Sequence, residues 1–201
     1  MKQIKLTVPE NWDDITIKQY QDFMKVLENE KENKEKELDI ISIFCSVPKK
    51  LLKKFPLKYL NKVSDIIKGI TDHDPSTIKM KRNLIFNGHK FGVIPNMSDM
   101  TTGEFVDLET YCNDSTSNLH KIIAVLYRRQ LGDVDRFDRY KIEDYEPDIE
   151  KQELMKGVPM SSALGVLNFF FHLGEPLLKD FHNCLETSKL SKMKEHQLKE
   201  G

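Results

Sequence analysis

Between Phe91 and Tyr111 the chain, FGVIPNMSDMTTGEFVDLETY, must end a strand and begin a helix within twenty-one residues. Thr101 stands three residues before Glu104, the spacing at which a hydroxyl and a carboxylate each bond the other's backbone N–H at a helix start. Met100 and Phe105 fall at the hydrophobic-staple positions around that cap. Just upstream, Arg82–Phe86 and His89–Val93 flank Asn87-Gly88, the dipeptide preferred in two-residue hairpin turns. A two-residue loop pairs Phe86 with His89 and Leu84 with Phe91, which gives the hairpin one buried side. A hairpin feeding a capped helix is therefore the local frame around which the rest must pack.

Most of the remaining periodicity is helical. Thr16 caps a segment with Gln19 at the capping-box position and Ile15 and Tyr20 at the staple positions. Ile17, Tyr20, Phe23, Met24 and Leu27 make its apolar face. The run Asn29–Glu37 has no apolar side chain and reads as a solvated loop or frayed helix extension. Leu38–Cys45 suits a short buried helix, and Pro48 and Pro56 each suit a helix start. Leu57, Leu60, Val63, Ile66, Ile67 and Ile70 continue at helical spacing. Past the capped helix at Thr102–Cys112, a polar linker at 113–118 leads to a helical face of Leu119, Ile122, Ile123, Leu126 and Tyr127. Arg128 and Arg129 would end that helix as favourable C-terminal cations. A further helix is expected near Asp148–Lys156, and Ser161 can cap the next, whose body holds Phe169–Phe170–Phe171. Three consecutive aromatics cover about 200° of a helix, so either that helix is central, the favoured expectation, or one Phe meets another chain. Leu177, Leu178, Phe181, Cys184 and Leu185 follow a Gly174/Pro176 break. Ile4, Leu6 and Val8 alternate with polar residues before Pro9 and predict a short opening strand.

Composition excludes several function classes. Lys+Arg total 31 against Asp+Glu 32, which gives no long-range pull toward nucleic acid or anionic lipid. The amino terminus lacks a signal-peptide apolar core, and the apolar run Ala163–Leu173 is too short to span a bilayer. Cys45, Cys112 and Cys184 lie far apart in apolar-periodic segments, as expected for small buried hydrophobes in a reducing compartment. The six histidines form no H-x-x-x-H, and His182 with Cys184 is a two-residue step that points them apart on a helix. Common phosphate, dinucleotide, serine-hydrolase and zincin motifs have no counterpart here. Glu10, Asp13 and Asp14 could do acid–base work, but their place before a helix start favours a structural role through the helix dipole. Catalytic residues, cofactors and metals are accordingly expected to be none.

The segment Gly132–Asp148 lacks a stable period and is the longest candidate loop, a class often tied to function. With the preceding residues it supplies Arg128, Arg129, Arg136, Phe137, Arg139, Tyr140 and Tyr145. Interleaved Asp133, Asp135, Asp138, Glu143 and Asp144 would repel phosphate, so nucleic acid is disfavoured. Arg and Tyr are enriched in interface hot spots, and these seven residues are the expected partner-binding set.

Phe91–Tyr111 together with LHKIIAVLYRR (Leu119–Arg129), YKIEDY (Tyr140–Tyr145), VPMSSALGVLNFFFHLG (Val158–Gly174) and the opening WDDITIKQY resembles small proteins of tailed bacteriophages. The nearest in character are those encoded among the virion-morphogenesis genes of crAss-like, Bacteroides-type phages. This chain has Arg129 where similar proteins carry a proline after the Tyr-Arg pair. The resemblance implies a virion component or assembly factor with no catalytic residues to carry over, acting in the host cytoplasm or within the virion. Its partners would be other virion or assembly proteins or further copies of itself, with no membrane. A tail assembly chaperone for the tape-measure protein is the alternative within that class, and a nucleic-acid-associated protein using Arg128–Arg139 is the alternative outside it. The expected architecture is mainly α (α+β): one helical domain over 1–190 with the small hairpin, to which the N-terminal strand can add, and a charged tail at 191–201.

Overall fold

The computed structural model describes residues 6–29, 33–95, 99–137 and 139–170. Expectations at Ile4, Asp138, Phe171, His182, Cys184, the 177–185 stripe and the 191–201 tail lie outside the described residues.

The architecture is mainly α with one small antiparallel sheet, and its helix starts follow the expected capping chemistry. Helix α1 (Ile17–Glu28) begins with a complete capping box, in which Gln19 N donates to Thr16 Oγ1 at 3.2 Å and Thr16 N donates to Gln19 Oε1 at 2.9 Å. Gln19 Nε2 also donates to Ile43 O at 3.0 Å and Phe44 O at 3.2 Å, so the same side chain closes the end of α2 (Asn33–Phe44). Pro48 and Pro56 sit at the N-caps of α3 (Lys49–Leu52) and α4 (Leu57–Thr71), where a missing N–H costs nothing. Leu60, Val63, Ile67 and Ile70 form the buried stripe of α4.

Strands β1 (Asn83–Phe86) and β2 (His89–Val93) pair in the expected register, Leu84 with Phe91 and Phe86 with His89. Asn87 at φ 49° and Gly88 at φ 76° take the left-handed conformations that such a turn requires. Leu84 and Phe91 are buried while Ile85, on the opposite face, is exposed.

The sheet continues where a helix end was expected. Helix α6 (Ser115–Leu126) stops one residue before Tyr127, and β3 (Tyr127–Leu131) adds to β2 through the pairs Val93–Tyr127 and Phe91–Arg129. Arg128 and Arg129 are therefore ladder residues rather than helix-end cations. A two-residue β4 (Lys141–Ile142) completes the order β1-β2-β3-β4. Residues 6–10 form no strand; Leu6 and Val8 instead pack half-buried against the core. The polar segment 113–118 is not a linker either. Asp114 caps α6 by accepting from Ser117 N at 3.1 Å, directly after α5 (Thr102–Cys112).

Helix α6 is the hub, with Leu119, Ile122, Ile123, Ala124, Val125 and Leu126 all buried against its neighbours. It also buries His120, whose Nδ1 lies 3.1 Å from Gln21 Nε2 on α1 and whose Nε2 lies 3.9 Å from Glu153 on α7 (Ile149–Met155). Burial, reinforced by Lys156, pushes the His120 pKa down to about 4. A histidine held neutral in the fold but free to protonate when unfolded stabilises the protein fully above the unfolded pKa, near 6.5. That stability is lost as pH falls through the window from about 6.5 to 4. The loss from this residue should be roughly 2–3 kcal/mol across that window. It should appear as the difference between wild-type and His120→Gln urea midpoints measured at pH 7 and pH 4.5; parallel pH profiles would refute the assignment.

The two ends of the described chain are stitched together. Ile17 N donates to Val158 O at 3.0 Å, Met160 N to Ile15 O at 2.7 Å and Ser161 N to Trp12 O at 3.1 Å. Ser161 lies in the first turn of α8 (residues 160–170) rather than capping it, and its hydroxyl donates to Asp13. Lys81 Nζ donates to the same carboxylate at 2.6 Å. These bonds, Lys81's first, hold the Asp13 carboxyl below its usual range, while Asp14 accepts from Glu10 N at 2.9 Å. The Asp13 and Asp14 carboxylates thus serve the fold. Burial pushes the Cys45 thiol up to about 11, whereas Cys112, expected to be buried, is exposed at the end of α5.

Candidate functional site

The seven residues expected at a partner surface divide into a buried root and an exposed tip. The root begins with Arg128, which is 8% exposed and places Nη2 2.8 Å from Oε1 of the fully buried Glu104. The contact is ionic rather than a well-formed hydrogen bond, since Glu104 Oε1 and Arg128 Nε have no hydrogen-bond partner. Glu104's other oxygen accepts from Thr101 N at 2.6 Å and Thr101 Oγ1 at 2.7 Å, which completes the capping box of α5. One carboxylate therefore caps a helix and neutralises a buried strand cation. Arg128 cannot contribute to a surface.

Tyr140 belongs to the root as well. Its ring lies over Gly92, where an added Cβ would come within 2.3 Å of the Tyr140 Cε2 atom. Its hydroxyl donates to Val93 O at 2.7 Å and lies 3.2 Å from Arg82 O, with the Arg82 guanidinium 5.7 Å from the ring centre. Tyr145 is half-buried and donates to Asp107 on α5, and burial together with that carboxylate raises its pKa. The two tyrosines pin the 132–148 segment to the sheet and to α5, so they act as anchors rather than contacts for a partner.

The tip is built by Asp135. Its Oδ1 accepts from Phe137 N at 2.8 Å and Arg139 N at 2.9 Å, its Oδ2 accepts from Arg139 Nε at 2.8 Å, and its own N donates to Arg139 O at 2.9 Å. An aspartate bonding forward to backbone N–H groups is a standard way of closing a turn. These bonds, the Arg139 backbone N–H first, lower the Asp135 pKa. Phe137 projects from this turn 62% exposed, with the Arg136 and Arg139 guanidinium carbons 4.7 and 5.1 Å from its ring centre. Flanking cations of this kind hold an exposed ring at modest energetic gain. Lys90 pairs with Asp133 at 2.7 Å at the neck of the loop. Arg129 is exposed on β3, with its backbone bonded to Glu143.

Arg129, Arg136, Phe137 and Arg139 are thus the expected residues that reach solvent, and Arg128, Tyr140 and Tyr145 are the ones that do not. Gly92, Asp135 and Glu104 hold the tip and its root in place. Of these, Gly92 inside a strand was the available signal of a close approach. Among the described residues, no three or more His, Cys, Asp or Glu side chains come together as a metal site, and no helix is long and apolar enough to cross a membrane. Comparison of the chain with family models, curated proteins and solved structures finds no match.

Proposed function

We propose that this chain is a non-enzymatic structural or assembly protein of a tailed-phage virion, working through a protein–protein interface centred on Phe137. The observation that carries the interface is an exposed phenyl ring held between two guanidiniums on a turn closed by Asp135. An aromatic–arginine cluster held rigid before contact loses little side-chain entropy on binding, and such residues dominate interface energetics. Of the described acids beside it, Asp133 pairs with Lys90 and Asp135 with Arg139, and Arg136 and Arg129 are the exposed cations we assign to carboxylates of a partner. The virion context rests on the sequence resemblance alone, with other virion or assembly proteins as partners and the host cytoplasm or the particle as the place of action.

Mass spectrometry of purified virions tests whether the chain is carried in the particle. Placing a photo-crosslinking amino acid at position 137 identifies the partner. Combined Phe137→Ala and Arg136→Ala substitution should then weaken that association by roughly 30-fold, corresponding to a hot-spot loss of about 2 kcal/mol. The thermal midpoint should stay within about a degree, because neither side chain is buried. Binding to duplex or single-stranded DNA that collapses between low and physiological salt, by a chain that stays monomeric, would defeat the assembly reading.

A further inference from the structure

The near-zero net charge conceals a strong segregation of charge. Residues 49–68, which form α3, the Pro56 corner and most of α4, carry seven lysines and a single acid, Asp65. Lys49 is paired with Asp39, whereas Lys50, Lys53, Lys54, Lys58 and Lys62 are exposed and have no ion-pair partner among the described residues. Large apolar side chains stand among them. Leu57 is 65% exposed, and Tyr59 and Ile66 are each about half exposed. Tyr59, Lys62 and Ile66 follow one another at three- and four-residue steps, so they form one ridge of α4. The opposite composition lies at 143–150, EDYEPDIE, with five acids and no cation. Glu143 takes Lys151 and Asp148 caps α7, while Asp144, Glu146 and Glu150 are exposed without an ion-pair partner among the described residues. Ile149 stands between them, 77% exposed.

We propose that the α3–α4 face docks a second copy of this chain through that copy's acidic strip at 144–150. Charge complementarity selects the occupant: the ammoniums of one copy meet the carboxylates of the next, while Leu57, Tyr59 and Ile66 meet Ile149. A nucleic-acid backbone would engage the ammoniums but leave those three apolar side chains in water. Helix α4 packs on α2, α2 on α1, α1 on α6 and α6 on α7, so the two faces belong to opposite ends of that series of helices. Contact between unlike faces is heterologous, and it repeats head to tail into a ring or an open filament. Exposed ion pairs each add little affinity and are screened by salt, so the contact is weak and salt-sensitive. The Phe137 tip takes no part in it, and the second copy is an addition to the partner proposed above.

Sedimentation velocity of the full chain at up to about 100 µM tests this, a range that reaches weak, micromolar contacts. The wild type should self-associate at low salt, and its Kd should rise about tenfold or more at about 0.5 M salt. Lys58→Glu/Lys62→Glu, which sets acid against acid, should sediment as a monomer, and so should Asp144→Lys/Glu146→Lys, which sets lysine against lysine. Mixed in equal amounts the two variants should associate again, because the reversed face of each matches the reversed face of the other and their native faces still match. All four side chains are outside the core, so the thermal midpoints should stay within about two degrees of wild type. Phe137→Ala/Arg136→Ala should self-associate as the wild type does, which reads this contact separately from the Phe137 interface. A monomeric wild type, or variants whose mixture stays monomeric, would overturn the proposal. So would a wild type that does not self-associate but binds phosphatidylglycerol vesicles or duplex DNA through Lys58 and Lys62, which would give the face to a phosphate surface.

Discussion

Glu104→Ala is expected to lower the unfolding free energy by about 4 kcal/mol. Two losses combine. The α5 capping box disappears, worth about 1 kcal/mol. Arg128, 8% exposed on β3, is left as a buried cation without its counter-charge, which generally costs about 3–5 kcal/mol. The urea midpoint should fall with an unchanged slope, since the native surface is otherwise intact. Glu104→Gln separates the terms: its amide oxygen can still accept from Thr101 while the charge is gone, so it should fall between wild type and alanine. Replacing both partners, Glu104→Gln with Arg128→Met, should recover much of the loss, because removing a buried pair is far cheaper than orphaning one member. A shift below about 1 kcal/mol for Glu104→Ala would mean that Arg128 reaches water once its partner leaves.

The same residue shows where the sequence was legible and where it was not. The capping boxes at Thr16 and Thr101, the Asn87-Gly88 turn and the stripe of α4 were readable because each is settled within a few residues by local bonds or by helical spacing. The boundary between α6 and β3 was not. Leu119–Tyr127 is apolar almost throughout, and such a run carries no period that separates a buried helix from a buried strand. The switch at Tyr127 is fixed from far away, by its pairing with Val93 and by its hydroxyl donating to Lys81 O. Arg128 read as a surface cation because arginine is rarely buried unless paired, and its partner lies on another element. Of the candidate surface, Arg136, Phe137 and Arg139 stand in solvent on a turn that Asp135 closes by bonds within four residues. The tyrosine anchors were mistaken for contacts because Gly92, Val93 and Asp107 are distant in sequence.

Tyr140→Ala and Phe137→Ala, three residues apart in one loop, should behave as opposites. Phe137 is mostly exposed, so its removal should change stability by less than about 0.5 kcal/mol and act on binding alone. Tyr140 is 9% exposed and roofed onto Gly92, so its truncation should cost about 3 kcal/mol, the range for deleting a large buried ring. Tyr140→Phe should cost only about 1 kcal/mol, for the hydroxyl bond to Val93 O. The reciprocal change sharpens the point. A methyl on Gly92 would approach the Tyr140 ring to 2.3 Å and Gln130 Nε2 to 3.0 Å, so Gly92→Ala should destabilise by about 2 kcal/mol through overpacking. In the Tyr140→Ala background that penalty should shrink markedly, because the added methyl then enters the space the ring has left. Chemical-denaturation curves of the four proteins give the coupling energy directly. A coupling above about 1 kcal/mol places Tyr140 on Gly92 in solution, whereas strict additivity would detach the loop from the sheet and leave Phe137 without a rigid base.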